Sequence, residues 1–366
     1  VDGSSYVVKP LYTPAAPSER QHVKAYALWN NKGGVGKSFL CFVAACQYAE
    51  TFPEADVYVI DLCPQANVSE TLLGGYQPTS PPIREITAKT PRATIAGYLE
   101  ARLNSPFQMI DSIEPFITHP KDYNPKIPDN LYLSCGDNLL ELLSEAIRQT
   151  SQLTIPFNAW RQVIEWVRDL CESLSARSGD RDAVIFIDCN PSFAIYTQQA
   201  LVAADNLVVP FTADDSSRRA IENVMALLYG VSTGEDITQY ARINFSQRAI
   251  SEGVATPKLH SFVSNRVTTY RKTASKAFQA VRNSIETTLN GIHKKHRTYF
   301  VSSKPPGESF VEVPDYHSAC IVSAVTGTPV HSLKAGPHMV NGERIQINLD
   351  PLKIYKKALS DFVERL

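Results

Sequence analysis

Apolar positions along this chain fall into two kinds of run, and the two kinds alternate. Short blocks in which nearly every residue is apolar stand at 25–29 (Ala-Tyr-Ala-Leu-Trp), 57–60 (Val-Tyr-Val-Ile), 183–187 and 207–209. Such blocks, bounded by turn residues, predict strands covered on both faces, as in a parallel sheet. Between them, apolar residues recur three and four apart, which predicts helices. The clearest are 39–51, 138–150 (Leu139, Leu142, Leu143, Ala146, Ile147), 157–175 (Trp160, Val163, Ile164, Val167, Leu170, Leu174), 193–203, 216–230 and 351–365. Shorter signals predict strands at 130–134, 259–264 and 310–314, and helices at 94–103, 273–289 and 316–326. The class is α/β with a parallel sheet. Trp160 and Trp166 read as core or partner-facing residues.

Three stretches lack this periodicity. Residues 1–24 carry Pro10, Pro14 and Pro17 and predict an extended arm before the first strand, with a partner-binding tail as the other reading. Prolines cluster again between 78 and 128. Residues 231–256 are polar and predict a loop holding a short helix.

Composition changes little in this picture. The chain has 366 residues, 43% hydrophobic and 20% charged, with net charge −1. That suits a globular chain with a sizeable core, and any nucleic-acid contact would need a local basic patch. Seven cysteines are scattered without a C-x-x-C pair, so neither a zinc site nor a disulfide framework is indicated, and a reducing cytoplasm is the simplest setting. No hydrophobic leader and no run of 18 apolar residues is present.

The chemistry concentrates after the first strand. Lys32-Gly33-Gly34-Val35-Gly36-Lys37-Ser38 runs straight into a helical pattern beginning at Phe39. Strand, glycine turn and helix in that order build a phosphate cradle, because glycines let successive N–H groups face an anion at a helix N-terminus. Lys37 would reach the β- and γ-phosphates and Ser38 would sit on Mg²⁺. The common pattern G-x-x-x-x-G-K-[ST] fails, since Asn31 stands where its first glycine belongs.

With its early lysine, this run resembles the deviant Walker A motif of the ParA/MinD family of P-loop ATPases. Two later motifs support the resemblance. Asp61-Leu62-Cys63-Pro64-Gln65-Ala66-Asn67 is similar to the family's Asp-x-Asp-Pro-Gln-x-Asn, with Cys63 in place of the second aspartate. Asp188-Cys189-Asn190-Pro191-Ser192 is similar to Asp-x-x-Pro-Ser, at the end of the strongest strand signal. The resemblance spans about residue 24 to the end. It implies an open, mostly parallel, doubly wound sheet with helices on both faces, carrying a proline-rich insertion at 75–130, within one ATPase domain of residues 25–366.

The family pattern also implies roles. Lys32 would cross a dimer interface to the partner's phosphates, making Lys32, Lys37 and Asp61 the catalytic set. Gly33, Gly34, Val35, Gly36, Lys37, Ser38 and Phe39 would hold ATP, and Ser38, Asp61 and Asp188 would serve Mg²⁺. Asn265 would read the adenine edge, or else cap a turn, and Pro314 would lie beside the base. Since a thiol lacks a carboxylate's charge and acceptor strength, Cys63 puts efficient hydrolysis in question. The resulting reading is a slow or partner-stimulated ATPase that forms an ATP-sandwiched homodimer, binds DNA non-specifically, and positions a DNA or protein cargo through a ParB-like adaptor. Its expected setting is a bacterial or archaeal cytoplasm, near the nucleoid, with no membrane target. The alternative is a nucleotide-gated scaffold or regulator with little hydrolysis. A third reading, a metabolic phosphoryl-transfer or reductive enzyme, loses ground for want of paired C-x-x-C ligands. DNA contacts are expected from the basic stretch 266–297, at Arg271, Lys272, Lys276, Lys294 and Lys295. A solvated helix face accounts for the same residues.

Overall fold

Seven of the apolar blocks lie side by side in one sheet. The computed structural model describes residues 24–76, 81–212, 214–231, 245–267, 269–270, 273–274 and 276–366. Its main strands are β1 (Lys24–Leu28), β2 (Asp56–Leu62), β3 (Leu131–Ser134), β4 (Ala183–Cys189), β5 (Asn206–Phe211), β6 (Lys258–Val267) and β7 (Val311–Pro314). They run in the order β3-β2-β4-β1-β5-β6-β7, every neighbouring pair parallel. All strand ends of one sense therefore fall on one edge, and the loops that follow β1, β2, β4, β5 and β6 meet there, as ligand-binding loops do in open α/β sheets.

Strand residues alternate between two buried layers. In β4, Val184 and Phe186 enter one core and Ile185 and Ile187 the other. On the first face pack α1 (Lys37–Thr51), α2 (Asn67–Leu72), α3 (Pro81–Ala88), α12 (His317–Thr326) and α13 (Leu349–Val363). The second face carries α4 (Ile95–Asn104), α5 (Leu139–Thr150), α6 (Ala159–Ile164), α7 (Trp166–Ser178), α8 (Ile195–Ala203), α9 (Asp215–Tyr229), α10 (Phe245–Ser251) and α11 (Lys276–Lys295). Burial on both faces explains why the strands read as unbroken apolar blocks.

The differences from the sequence reading are local. The helix expected at 157–175 is two helices that meet at Glu165, and both Trp160 and Trp166 are buried. Residues six apart on one continuous helix point about 120° apart; across the break both indoles are buried. Leu142, expected on an apolar face, is exposed, as is Ile354 of the last helix. Residues 336–347, given no element in the sequence reading, form a hairpin of β8 (Gly336–Val340) and β9 (Glu343–Ile347). Its Asn341-Gly342 turn has positive φ at both residues, the signature of a two-residue hairpin loop. The expected arm falls outside the described residues up to residue 23. Within the expected insertion, Ile95, Tyr98, Leu99 and Phe116 belong to the second-face core. Among the described residues no helix is long and apolar enough to cross a membrane.

Candidate nucleotide site at the carboxyl edge of the sheet

The glycine run leaves β1 and curls over the start of α1. Gly34 and Gly36 have φ of 75° and 89°, and a Cβ at Gly36 would collide with the Asn265 side chain. Only glycine fits there, for both backbone and space. Asn30, fully buried, fixes the entry: its Nδ2 donates to Pro210 O at 2.7 Å and its Oδ1 accepts from Lys32 N at 3.1 Å. Asn31, the residue that breaks the common pattern, donates to Pro191 O at 3.2 Å and so ties the cradle to the loop after β4.

Lys37 is buried, and its Nζ donates to Lys32 O at 3.0 Å and Asn30 O at 3.3 Å. Burial lowers its pKa, while Asp188 pulls it back up. The ammonium thus lies inside the loop that would receive phosphate. A cavity of about 640 Å³ opens in front of it, lined by Gly33, Gly34, Gly36, Lys37, Ser38 and Phe39, with Cys63 and Cys189 on its floor side. That volume lies in the range of small-molecule sites.

The two strand-end aspartates sit in register on β2 and β4 but live differently. Asp61 is fully engaged: Oδ1 accepts from Cys63 N at 3.0 Å, and Oδ2 from Ser69 N at 3.1 Å and Ser69 Oγ at 2.7 Å. Gly136 lets it pack that closely, since a Cβ there would come within 2.7 Å of the carboxylate. Asp188 is fully buried, and the Ser38 hydroxyl is the one hydrogen-bonding group close enough to favour its charged form. Burial first, and Asp61 second, raise its pKa well above the carboxylate range; the Ser38 hydroxyl and Lys37 offset this only in part. Asp61 is raised too, again by burial, with its three hydrogen bonds opposing.

A fully buried carboxylate beside the Ser38 hydroxyl and a phosphate cradle fits magnesium, which takes oxygen ligands and is held by one or two carboxylates plus phosphates. Ser38 and Asp188 would hold it. Among the described residues no group of three or more His, Cys, Asp or Glu is arranged as a metal cage.

Cys63 is buried at the cavity wall, its thiol pushed up to about 12 by burial and by Asp61 and Asp188. It is a neutral thiol at physiological pH. Lys32 points away from the cavity: its Nζ pairs with Asp214 and donates to Thr212 Oγ1 at 3.0 Å and Ser217 Oγ at 3.3 Å. Asp214 caps α9 by accepting from Ser217 N. Burial alone would raise its pKa; hydrogen bonds from Lys32, Ser216, Thr212 and Ser217 outweigh this and lower it.

Other expected residues are placed as follows. Val35 is buried, and its carbonyl accepts from Asn265 Nδ2 at 3.0 Å. Asn265 and Pro314 do not line the cavity; Pro314 pairs with Val267 in the sheet. Lys294 and Lys295 are exposed at the end of α11, next to exposed Arg297. Arg271 and Lys272 lie outside the described residues, as does the side chain of Lys276. Arg282, in the same basic stretch, is committed to ion pairs with Glu286 and Glu312. Sequence reasoning missed Asn30, Thr212, Asp214 and Ser217, and it placed Arg266 in the basic stretch, whereas the residue lines the cavity. An Asp three residues before Ser217 hints at a helix cap, but nothing local tells that it would receive Lys32.

No protein-family model matches the sequence, and no curated protein does. Solved structures do. McdA from Cyanothece, in its apo form, superposes with a TM-score of 0.53 at 15% identity, covering 92% of this chain and 100% of that one; a variant of McdA has been solved in complex with ATP. A plasmid partition protein from Borrelia burgdorferi B31, bound to AMPPNP, gives a TM-score of 0.52 at 15% identity, over 94% of this chain and 100% of that one. Protein DIP2308 from Corynebacterium diphtheriae gives 0.56 at 18% identity, over 83% and 97%. At such identities the likeness speaks for the fold, and this chain has the fold of the ParA/MinD-type P-loop ATPases.

Proposed function

We propose that this chain is a ParA-type positioning or partition ATPase that binds Mg-ATP in the cavity at the carboxyl edge of its sheet. The observation that carries the reading is Asp188, a fully buried carboxylate with only the Ser38 hydroxyl and Lys37 to favour its charge, at the foot of a glycine cradle. The fold likeness to McdA and to a plasmid partition protein, both solved with ATP or its analogue, supports it.

Each residue has a share. Gly33, Gly34 and Gly36 give room for N–H groups to face phosphate, and Lys37 leaves the carbonyls of Asn30 and Lys32 to meet the β- and γ-phosphates. Ser38 and Asp188 hold Mg²⁺, which supplies charge neutralisation of the phosphates. Asp61 braces the Cys63 turn through its bonds to Cys63 N and Ser69. Lys32 leaves Asp214 and completes the site of a second copy, so nucleotide binding and dimerisation are coupled. In that dimer Lys294 and Lys295 contact the DNA backbone without reading sequence. An adaptor protein then stimulates hydrolysis and releases the dimer from DNA.

A second reading, a nucleotide-gated regulator with little turnover, is favoured by Cys63. A buried neutral thiol cannot orient a water as a carboxylate does. Single-turnover hydrolysis by the intact chain and by Cys63→Asp separates the two. An increase of at least about tenfold in the variant supports a site limited at Cys63; equal rates remove that idea.

A further inference from the structure

A second cavity, of about 570 Å³, opens among the helices of the second face and shares no lining residue with the one at the glycine cradle. Phe107 and Met109 from the loop after α4, Ile155 and Pro156 from the loop between α5 and α6, and Asp169 of α7 line it, together with Arg102 of α4. Arg102 is buried. Its Nη1 donates to Asp169 Oδ2 at 2.7 Å and its Cζ lies 5.4 Å from the centre of the Trp166 ring, but its Nε has no hydrogen-bond partner among the described residues. A buried donor left unpaired costs free energy until an acceptor reaches it.

The rim of this hollow is apolar and free of charge. Met109 and Leu153 are half exposed, Ile155 is 84% exposed, and the Phe157 side chain stands wholly in solvent. In a chain that is 20% charged, neither 103–110 nor 149–160 holds an Asp, Glu, Lys or Arg. Exposed apolar patches rimmed by polar residues mark interaction sites, and loss of charge with enrichment in Phe and Met is the composition of an interface core.

Two features select a second copy of this chain as the occupant. Knob and hollow belong to one face, since Phe157 projects two residues beyond Ile155, which lines the hollow. A face that carries both can satisfy itself across a two-fold axis, each copy giving its ring and receiving the other's. Charge is also excluded near such an axis, because residues there meet their own copies and like charges would face each other. The two uncharged runs meet that demand. We infer that this face is a self-association surface on which two copies pair without nucleotide, Phe157 of each entering the hollow of the other while a carbonyl of its loop accepts from Arg102 Nε. The inference does not depend on the proposed nucleotide site.

Sedimentation equilibrium of the intact chain without nucleotide tests it, with Phe157→Ser altering the knob, Gln108→Arg adding a charge at the hollow that exposed Gln108 lines, and Lys37→Ala altering only the cradle. The wild type is expected to pass from monomer to a plateau at two copies, with a dissociation constant on the order of 10 μM. Phe157→Ser and Gln108→Arg are each expected to raise that constant at least about tenfold, with unchanged melting temperatures because both positions are exposed. Lys37→Ala is expected to leave it as it is. A wild type that stays monomeric to about twentyfold above that concentration, association with no plateau at two copies, or a dimer that either Phe157→Ser or Gln108→Arg leaves intact overturns the inference. So does loss of the dimer in Lys37→Ala, which would place the contact at the cradle.

Discussion

Lys32 and Asp214 form an ion pair within one chain, although 182 residues separate them. The lysine expected to serve a second subunit is thus parked on the cap of α9, where Thr212 and Ser217 complete its coordination. For Lys32 to cross an interface, this pair has to open.

The pair is a quarter to a half exposed, so it contributes at most about 1 kcal/mol. Asp214→Asn keeps an acceptor for Ser217 N and removes the charge. With Mg-ATP present, the variant is expected to dimerise at up to about fivefold lower concentration, read by sedimentation. Asp214→Ala should in addition cost about 1 kcal/mol of stability through loss of the cap. A dimerisation midpoint that does not move in Asp214→Asn contradicts the parking role.

Asp188 gives a pH dependence with a definite sign. Its pKa in the fold is raised above the unfolded value, so the nucleotide-free fold favours the protonated form. Its stability is fully present below the ordinary carboxylate pKa and declines as pH rises through the raised value. Asp61 contributes in the same sense. Thermal unfolding of the chain without nucleotide should show the midpoint falling from mildly acid to mildly alkaline pH, and Asp188→Asn should flatten most of that slope. Mg²⁺-dependent stabilisation with nucleotide should rise over the same range and be lost in Asp188→Asn.

Lys294 and Lys295 test the DNA surface. Replacing both by Gln should weaken binding to duplexes of any sequence alike and reduce the slope of log affinity against log salt by about 2. A slope that does not change places the contact surface elsewhere.

Gly36 tests the cradle geometry. Gly36→Ala would drive a methyl into Asn265 at a φ of 89°. The expected loss is about 1–3 kcal/mol of stability, with nucleotide affinity reduced at least as much as for Lys37→Ala. Unfolding curves alongside nucleotide titration check both.

The sheet was legible in the sequence because a parallel strand buried on both faces reads as a continuous apolar block, as Ala183–Cys189 does. The cradle was legible because its chemistry is local: glycines, lysine and serine stand consecutively. What escaped is set by contacts between distant segments. Lys32 reaching Asp214, and Asn265 turned beneath Gly36 so that Arg266 faces the cavity, depend on the order of strands rather than on neighbours in the chain. The turn at Glu165 escaped because the apolar spacing continues across it. The Asn341-Gly342 hairpin carried a readable turn signal, but its flanks are mostly exposed and show little apolar alternation.

The central claim is that the Lys37, Ser38 and Asp188 site takes a magnesium nucleotide. Calorimetric titration of the intact chain with Mg-ATP tests it most directly, beside Lys37→Ala and Asp188→Asn. Saturable binding of one nucleotide per chain, weakened at least about tenfold in Lys37→Ala and no longer strengthened by Mg²⁺ in Asp188→Asn, is the expected result. No saturable binding by the wild type, or equal affinity in all three proteins, would contradict the account.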